Sequence, residues 1–241
     1  MPYYSYYYGF DWTYLILVLP CIILSLWAST RVNRTFKQYS QQLSRRNITG
    51  YQAAQQVLLD NGVSGVRIER ASGNLTDHYD PRTNVIRLSE DVYDDTSTAA
   101  IGVACHEAGH AVQYAKNYGP IKLRAAIIPI TNIGSKLAIP LILLGILFTS
   151  LGSFSETVIY TGIACFALSL IFQLITLPVE FNASRRAMES IERRNLLTEE
   201  EQVGARKTLS AAAMTYVAAT AVALAQLLRL LSLFGGRRRN D

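Results

Sequence analysis

The sequence predicts a mainly α-helical integral membrane protein with three or four transmembrane helices and a small α+β domain. Half of the 241 residues are hydrophobic and the mean hydropathy is +0.16, which is high for a water-soluble domain. The apolar residues are concentrated in a few long runs. The remaining sequence carries the helical and alternating patterns of a small folded domain.

The apolar runs define the candidate transmembrane helices. Residues 13–29, 137–152 and 157–179 contain no charged residue, and the short gap between the last two predicts a tight hairpin. A fourth run, residues 209–234, is rich in alanine and contains Arg229. Because an ionised side chain is unfavourable at membrane depth, the sequence leaves open whether this run spans the bilayer or packs along its surface.

The flanks of the first run predict the orientation of the chain. Several tyrosines and Trp12 precede it without any Lys or Arg, which is typical of an interfacial anchor and not of a cleavable signal peptide. Arg31, Arg34 and other basic residues follow it. The positive-inside rule therefore places residues 30–133 in the cytoplasm. Membrane orientation also accounts for the net charge of +5, and no nucleic-acid partner is expected.

The polar segment between the first two runs has recognisable elements. Thr49-Gly-Tyr-Gln52 forms a capping box that opens a helix. Short strands are predicted near residues 66–69 and 85–88, with a turn at Asp80-Pro81-Arg82 between them. Residues 116–136 contain two prolines and several basic residues, and we expect them to pass over the membrane surface.

The most informative motif is His106-Glu107-Ala108-Gly109-His110, which uses two of the three histidines of the chain. Positions four apart lie on one face of a helix, so both imidazoles can bind one Zn²⁺. The glutamate beside the first histidine can then act as a general base. Apart from Glu107, residues 98–115 are uncharged and predict a buried helix, N-capped by Ser97 or Thr98, in which an unpaired carboxylate would be costly.

A catalytic zinc site generally has three protein ligands and one open position. Glu180 is the best third candidate, because it lies where the third run leaves the membrane. The alternative is a solvated acid paired with Arg185 or Arg186. His78 is more typical of a loop or substrate-cleft residue, and Cys105 projects away from the histidine face.

These residues carry a resemblance to known families. H-E-x-x-H followed by Glu180-Phe-Asn-Ala-Ser resembles the HtpX-type membrane gluzincin proteases, which carry H-E-x-x-H and then E-x-x-A-D. The whole chain is more similar to the YugP-like neutral zinc metallopeptidases of bacterial membranes. That similarity rests on three stretches, Asp77–Ser89, Cys105–Gln113 and Leu177–Ala187.

The resemblance implies a zincin-like metallopeptidase domain with one Zn²⁺ per chain. His106, His110 and Glu180 are the implied metal ligands, and Glu107 is the implied catalytic base. The chain departs from the HtpX pattern at Ser184, where that family has an Asp that would orient a ligand.

The predicted function is that of a zinc-dependent endopeptidase at the cytoplasmic surface of the bacterial cell membrane, acting on a peptide or membrane-protein substrate. His78 and Tyr79 are candidate contacts to the substrate or its oxyanion. The strand over residues 84–89 is a candidate for edge pairing with an extended substrate. The alternatives are an intramembrane zinc protease and a non-catalytic, zinc-stabilised scaffold or assembly factor. The oligomeric state stays open.

The predicted division of the chain follows the runs and the motif. Residues 1–30 hold the first transmembrane helix. Residues 31–133 hold the metallopeptidase domain with the helix of the His106–His110 motif, which we call the metal helix. Residues 134–179 form the transmembrane hairpin. Residues 180–208 carry the third ligand and the start of a capped helix, and residues 209–241 form the apolar C-terminal helix with a basic tail.

Overall fold

The computed structural model describes residues 11–74 and 76–235, and it confirms the predicted fold class. The described residues form a mostly helical protein with one small sheet. The helices are α1 (Leu19–Tyr39, preceded by the π-helical turn Tyr14–Val18), α2 (Gly50–Asp60), α3 (Glu90–Tyr93), α4 (Thr98–Ala115), α5 (Gly119–Leu147), α6 (Ser153–Arg193) and α7 (Glu199–Phe234). The strands are β1 (Arg67–Ala71), β2 (His78–Asp80) and β3 (Val85–Ser89).

Four helices in the described part of the chain are long and apolar enough to cross a membrane. They are Tyr14–Tyr39, α5, α6 and α7, and each contains all or most of one of the apolar runs. The fourth run is part of a single 36-residue helix that starts at Glu199. By length and composition, α7 therefore counts with the other three as a membrane-spanning helix.

Residues 119–136, which we expected to pass over the membrane surface, are helical. They belong to α5, which continues from Gly119 to Leu147 through Pro129 and Pro140 and is one of the candidate membrane spans. A proline removes one backbone hydrogen bond and is usually read as a break. In apolar surroundings, however, a helix is the conformation that satisfies all the other backbone groups, so prolines are tolerated there.

The chain divides into two compact units. The first, which we call the apolar unit, comprises the described residues up to Trp27, Ile128–Gln173 and the described residues from Val217. Its buried cluster contains Ile142, Ile159 and Leu230. The second, which we call the metal-site unit, comprises Ala28–Ile127 and Leu174–Tyr216.

Arg229 in the apolar unit has a charged partner. Its Nε and Nη2 atoms donate to Asp11 Oδ2 at 2.8 and 2.5 Å, and its guanidinium lies 5.3 Å from the centroid of the Tyr14 ring. A paired and hydrogen-bonded arginine is much less unfavourable in an apolar setting than an isolated one. The ion pair therefore removes the objection to a membrane-spanning α7.

The sheet of the metal-site unit has the order β1-β3-β2. β3 pairs in parallel with β1 and antiparallel with β2. It is buried, as its run of Val85, Ile86 and Leu88 predicts. The three-residue β2 was not predicted, and the turn at Asp80-Pro81-Arg82 joins β2 to β3. Because β3 is the central strand, the predicted edge pairing at residues 84–89 is wrong, and the edges are β1 and β2.

Side-chain caps fix the start of α2 and α4, whose residues form much of the buried core. The capping box of Thr49 and Gln52 is present at α2. Ser97 caps α4, where its hydroxyl accepts from the Ala100 N–H at 3.2 Å. α2 and α4 then pack together through small and branched residues, which places the metal helix at the centre of the unit.

Candidate metal centre

α4 has two different faces. Val103, His106, Glu107 and His110 recur at helical spacing, and His106, Glu107 and Val103 line one cavity. The opposite face consists of small residues such as Ala104 and Ala108, which are fully buried in the core. Cys105 belongs to this core face, and burial raises the pKa of its thiol.

The close approach of α4 and α6 depends on Gly109. An ideal Cβ atom on Gly109 would lie 2.7 Å from the backbone oxygen of Ala183, which is closer than real side chains come. The glycine therefore lets the two backbones meet. Glu180 lies three residues before this crossing and Ser184 one residue after it, so both face the histidines.

The structure brings together the three predicted ligands. Glu180 Oε2 lies 3.3 Å from His106 Nε2 and 3.5 Å from His110 Nε2, and the three ligand atoms lie within 4.8 Å of one another. Zn²⁺ bonds of about 2.0–2.2 Å in a tetrahedral site put neighbouring ligand atoms about 3.4 Å apart. The two measured distances match that spacing.

The burial of Glu180 provides a second test of whether a metal fits. Its side chain is 3% exposed, and Oε2 is a buried atom without a hydrogen-bond partner among the described residues. An unsatisfied carboxylate oxygen is costly in such a place, and a cation removes the cost. The donor set and this orphaned oxygen together fit a zinc ion.

The outer nitrogens of both imidazoles are fixed by hydrogen bonds. His110 Nδ1 lies 3.0 Å from Gln113 Oε1, while Gln113 Nε2 donates to the carbonyl of Val179 at 2.8 Å. Because the amide nitrogen is used in this way, its oxygen must accept from His110 Nδ1–H. His110 therefore presents the lone pair of Nε2 to the metal position. His106 Nδ1 lies 3.1 Å from Ser184 Oγ, and His106 presents its Nε2 lone pair in the same way when this hydroxyl accepts from Nδ1–H.

Arg124 on α5 is the charged partner of Glu180. Its Nη1 donates to Glu180 Oε1 at 2.8 Å, which leaves Oε2 for the metal position. The predicted alternatives do not occur, because Arg185 pairs with Glu189 and Arg186 donates to the side chain of Asn182. Sequence reasoning missed Arg124 because its segment was not predicted to be helical.

A cavity of about 200 Å³ opens beside the metal position. Glu107 lines it together with Asp77 and Tyr216, two residues that sequence reasoning did not select. The Asp77 carboxylate accepts from the Ser89 N–H at 2.7 Å and from its hydroxyl at 3.0 Å. Burial, and to a smaller extent the nearby Glu107, raise the pKa of Asp77 in spite of these hydrogen bonds.

The structure does not bring His78 and Tyr79 to this cavity. His78 is exposed, with Nδ1 2.7 Å from the Thr76 carbonyl oxygen. The Tyr79 hydroxyl donates to Asn84 Oδ1 at 2.7 Å, within the hairpin of β2 and β3. Neither residue is among those that line the cavity. The predicted contact of these two side chains with substrate or oxyanion is therefore not supported. Asp77, the neighbour of His78 in the sequence, lines the cavity instead.

Comparisons with known proteins identify the family of the chain. A family model described as "putative neutral zinc metallopeptidase" matches residues 14–235. The chain is 44% identical over 228 residues to the "putative membrane protease YugP" of Bacillus subtilis (strain 168), covering 94% of this chain and 99% of that protein. No solved structure matches the chain. The chain belongs to the family of putative neutral zinc metallopeptidases.

Proposed function

We propose that this protein is a membrane-bound zinc-dependent endopeptidase that hydrolyses peptide bonds at the cytoplasmic membrane surface. One observation carries the proposal. The buried Glu180 Oε2 faces the Nε2 atoms of His106 and His110 at the ligand spacing of zinc, and Glu107 lines the adjoining cavity. A structural zinc site is closed by four protein ligands and has no need of a base, so this arrangement favours catalysis over a scaffold.

A zinc ion held by these three ligands would acidify water and polarise a peptide carbonyl. The chain supplies the remaining chemistry. The Glu107 carboxylate accepts a proton from the attacking water and delivers it to the amide nitrogen as the C–N bond breaks. We assign the donation to the substrate carbonyl oxygen, the role first expected of His78 or Tyr79, to the Tyr216 hydroxyl, which lines the cavity and is hydrogen-bonded to Glu180 before substrate binds.

Two features support a site at the cytoplasmic surface of the membrane, the basic residues after the first apolar run and the position of the metal helix outside the candidate spans. Arg31, Arg34 and Lys37 follow the first apolar run, so the positive-inside rule supports a cytoplasmic location for the site. α4 carries the histidines and is not one of the four candidate membrane spans. These two features favour a surface site over cleavage within the bilayer.

The decisive variant is Glu107→Gln, which removes the base and keeps the size of the side chain. We expect detergent-purified Glu107→Gln to retain zinc and to lose peptide cleavage by about 10²- to 10⁴-fold. The matched control is Glu189→Gln on α6, because Glu189 is exposed and pairs only with Arg185 among the described contacts. Cleavage at the native rate by Glu107→Gln would refute the base assignment. Zinc binding without cleavage by the wild type would support the scaffold alternative.

A further inference from the structure

One side of the cavity beside the metal centre is apolar. α7 contributes Leu209, Ala212, Ala213 and Tyr216 to the lining. These positions are spaced i, i+3, i+4 and i+7, so they occupy one face of the helix. α1 and α4 complete the wall with Val32, Phe36 and Val103.

The two alanines create the space on this wall. Ala212 and Ala213 lie between the larger Leu209 and Tyr216, and their methyl groups leave a recess in the α7 face. The whole cavity measures about 200 Å³. Because an apolar cavity of about 150 Å³ holds a benzene molecule, there is room for one side chain of leucine or phenylalanine size.

The charges around the cavity disfavour an acidic occupant. The ionisable lining residues are Asp77, Glu107, Glu180, His106 and Tyr216, with no Lys or Arg among the described residues of the lining. The metal would offset the charge of Glu180, but a carboxylate would still meet Asp77 and Glu107. An ammonium group would lose its hydration against the apolar wall, and the Asp77 oxygens already accept from Ser89.

We propose that Ala212 and Ala213 form a specificity pocket that selects substrates with an apolar side chain, up to the size of phenylalanine, next to the scissile bond. The proposal rests on the peptidase function above and names its substrate class. An enzyme with this pocket would cut apolar segments of peptides and membrane proteins in preference to charged ones.

The test uses the full-length, zinc-loaded protein and quenched fluorescent peptides that vary at the two residues flanking the cleaved bond. The varied residue is Ala, Leu, Phe, Asp or Lys. We expect kcat/KM of the wild type to be at least about ten-fold higher for Leu or Phe than for Asp or Lys. In Ala212→Leu, the ratio of the Phe peptide to the Ala peptide should fall by about ten-fold or more.

Controls separate the pocket from general damage. Ser210→Leu adds the same bulk to an exposed position of α7 that does not line the cavity, and it should keep the wild-type preference. Phe36→Ala enlarges the pocket and should shift the preference toward larger side chains. If Ala212→Leu does not fold, Ala213→Val and Phe36→Ala provide the comparison. The affinities of zinc-loaded Glu107→Gln for the same peptides should follow the order of the wild-type kcat/KM values, without cleavage.

The outcomes distinguish the two proposals. If the wild type cleaves none of the peptides and Glu107→Gln behaves identically, the peptidase function itself fails. If the wild type cleaves peptides but prefers Asp or Lys, the pocket is refuted. The pocket is also refuted if folded, zinc-bound Ala212→Leu keeps the wild-type ratio of Phe to Ala peptide.

Discussion

Gly109→Ala tests whether the close crossing of α4 and α6 sets the spacing of the metal ligands. The added Cβ would lie 2.7 Å from the Ala183 backbone oxygen. Reaching an ordinary contact requires the two helices to separate by about 0.7 Å or more. Metal sites tolerate departures of only about 0.2 Å from ideal ligand distances. We therefore expect a clear loss of zinc affinity.

The expected change in stability is limited because two effects oppose each other. Replacing a glycine inside a helix with alanine stabilises the helix by about 0.5–1 kcal/mol. Overpacking against the Ala183 backbone costs about 1–3 kcal/mol. The net effect lies between almost zero and about 2.5 kcal/mol of destabilisation, whereas zinc affinity should fall on the order of 10- to 100-fold, as when groups that orient metal ligands are lost.

The assay is a competition titration of metal-free protein with a zinc chelator, together with a thermal unfolding scan. Gly119→Ala is the matched control, because a Cβ on Gly119 meets no atom within 4 Å. It should leave zinc affinity unchanged. If Gly109→Ala binds zinc as tightly as the wild type and unfolds at the same temperature, the crossing does not set the ligand geometry.

Three further variants follow from the same structure. Ser184→Ala removes the acceptor for His106 Nδ1 and should weaken zinc binding by about 10- to 100-fold in the same titration, while Ser184→Asn should restore part of it. Tyr216→Phe should keep zinc but lower kcat by about 10²-fold or more, and an unchanged kcat would exclude the hydroxyl as a donor. Arg229→Gln alone leaves Asp11 without its partner, so it should lower the unfolding temperature more than the double variant Arg229→Gln, Asp11→Asn does. The coupling energy between the two substitutions should be about 0.5–3 kcal/mol, and strictly additive changes in unfolding free energy would contradict the ion pair.

Local sequence rules predicted the metal helix well, but they gave only a weak prediction of the third ligand. His106, Glu107 and His110 are grouped by helical spacing alone, and Ser97 caps their helix as expected. Glu180 was predicted from its place at the end of an apolar run, which is a weaker signal. The distance between Glu180 and the histidines depends on a close approach of helices that only Gly109 indicates, and a single glycine does not identify its partner.

The missed residues lie on elements whose contacts are distant in sequence. Arg124 follows a proline and precedes another, so the pattern indicated a break where the structure has a continuous helix. Tyr216 lies in an alanine-rich run without a polar pattern, and Asp77 precedes a strand of three residues. None of these positions carries a local signal of function. Their meeting depends on tertiary packing, which periodicity does not encode.

The most direct test of the three-ligand metal centre is the zinc content of the detergent-purified protein after reconstitution, compared between the wild type, Glu180→Ala and His78→Ala. We expect one ion per chain in the wild type and in His78→Ala, and loss of the ion in Glu180→Ala. Full zinc occupancy in Glu180→Ala, or none in the wild type, would contradict this expectation.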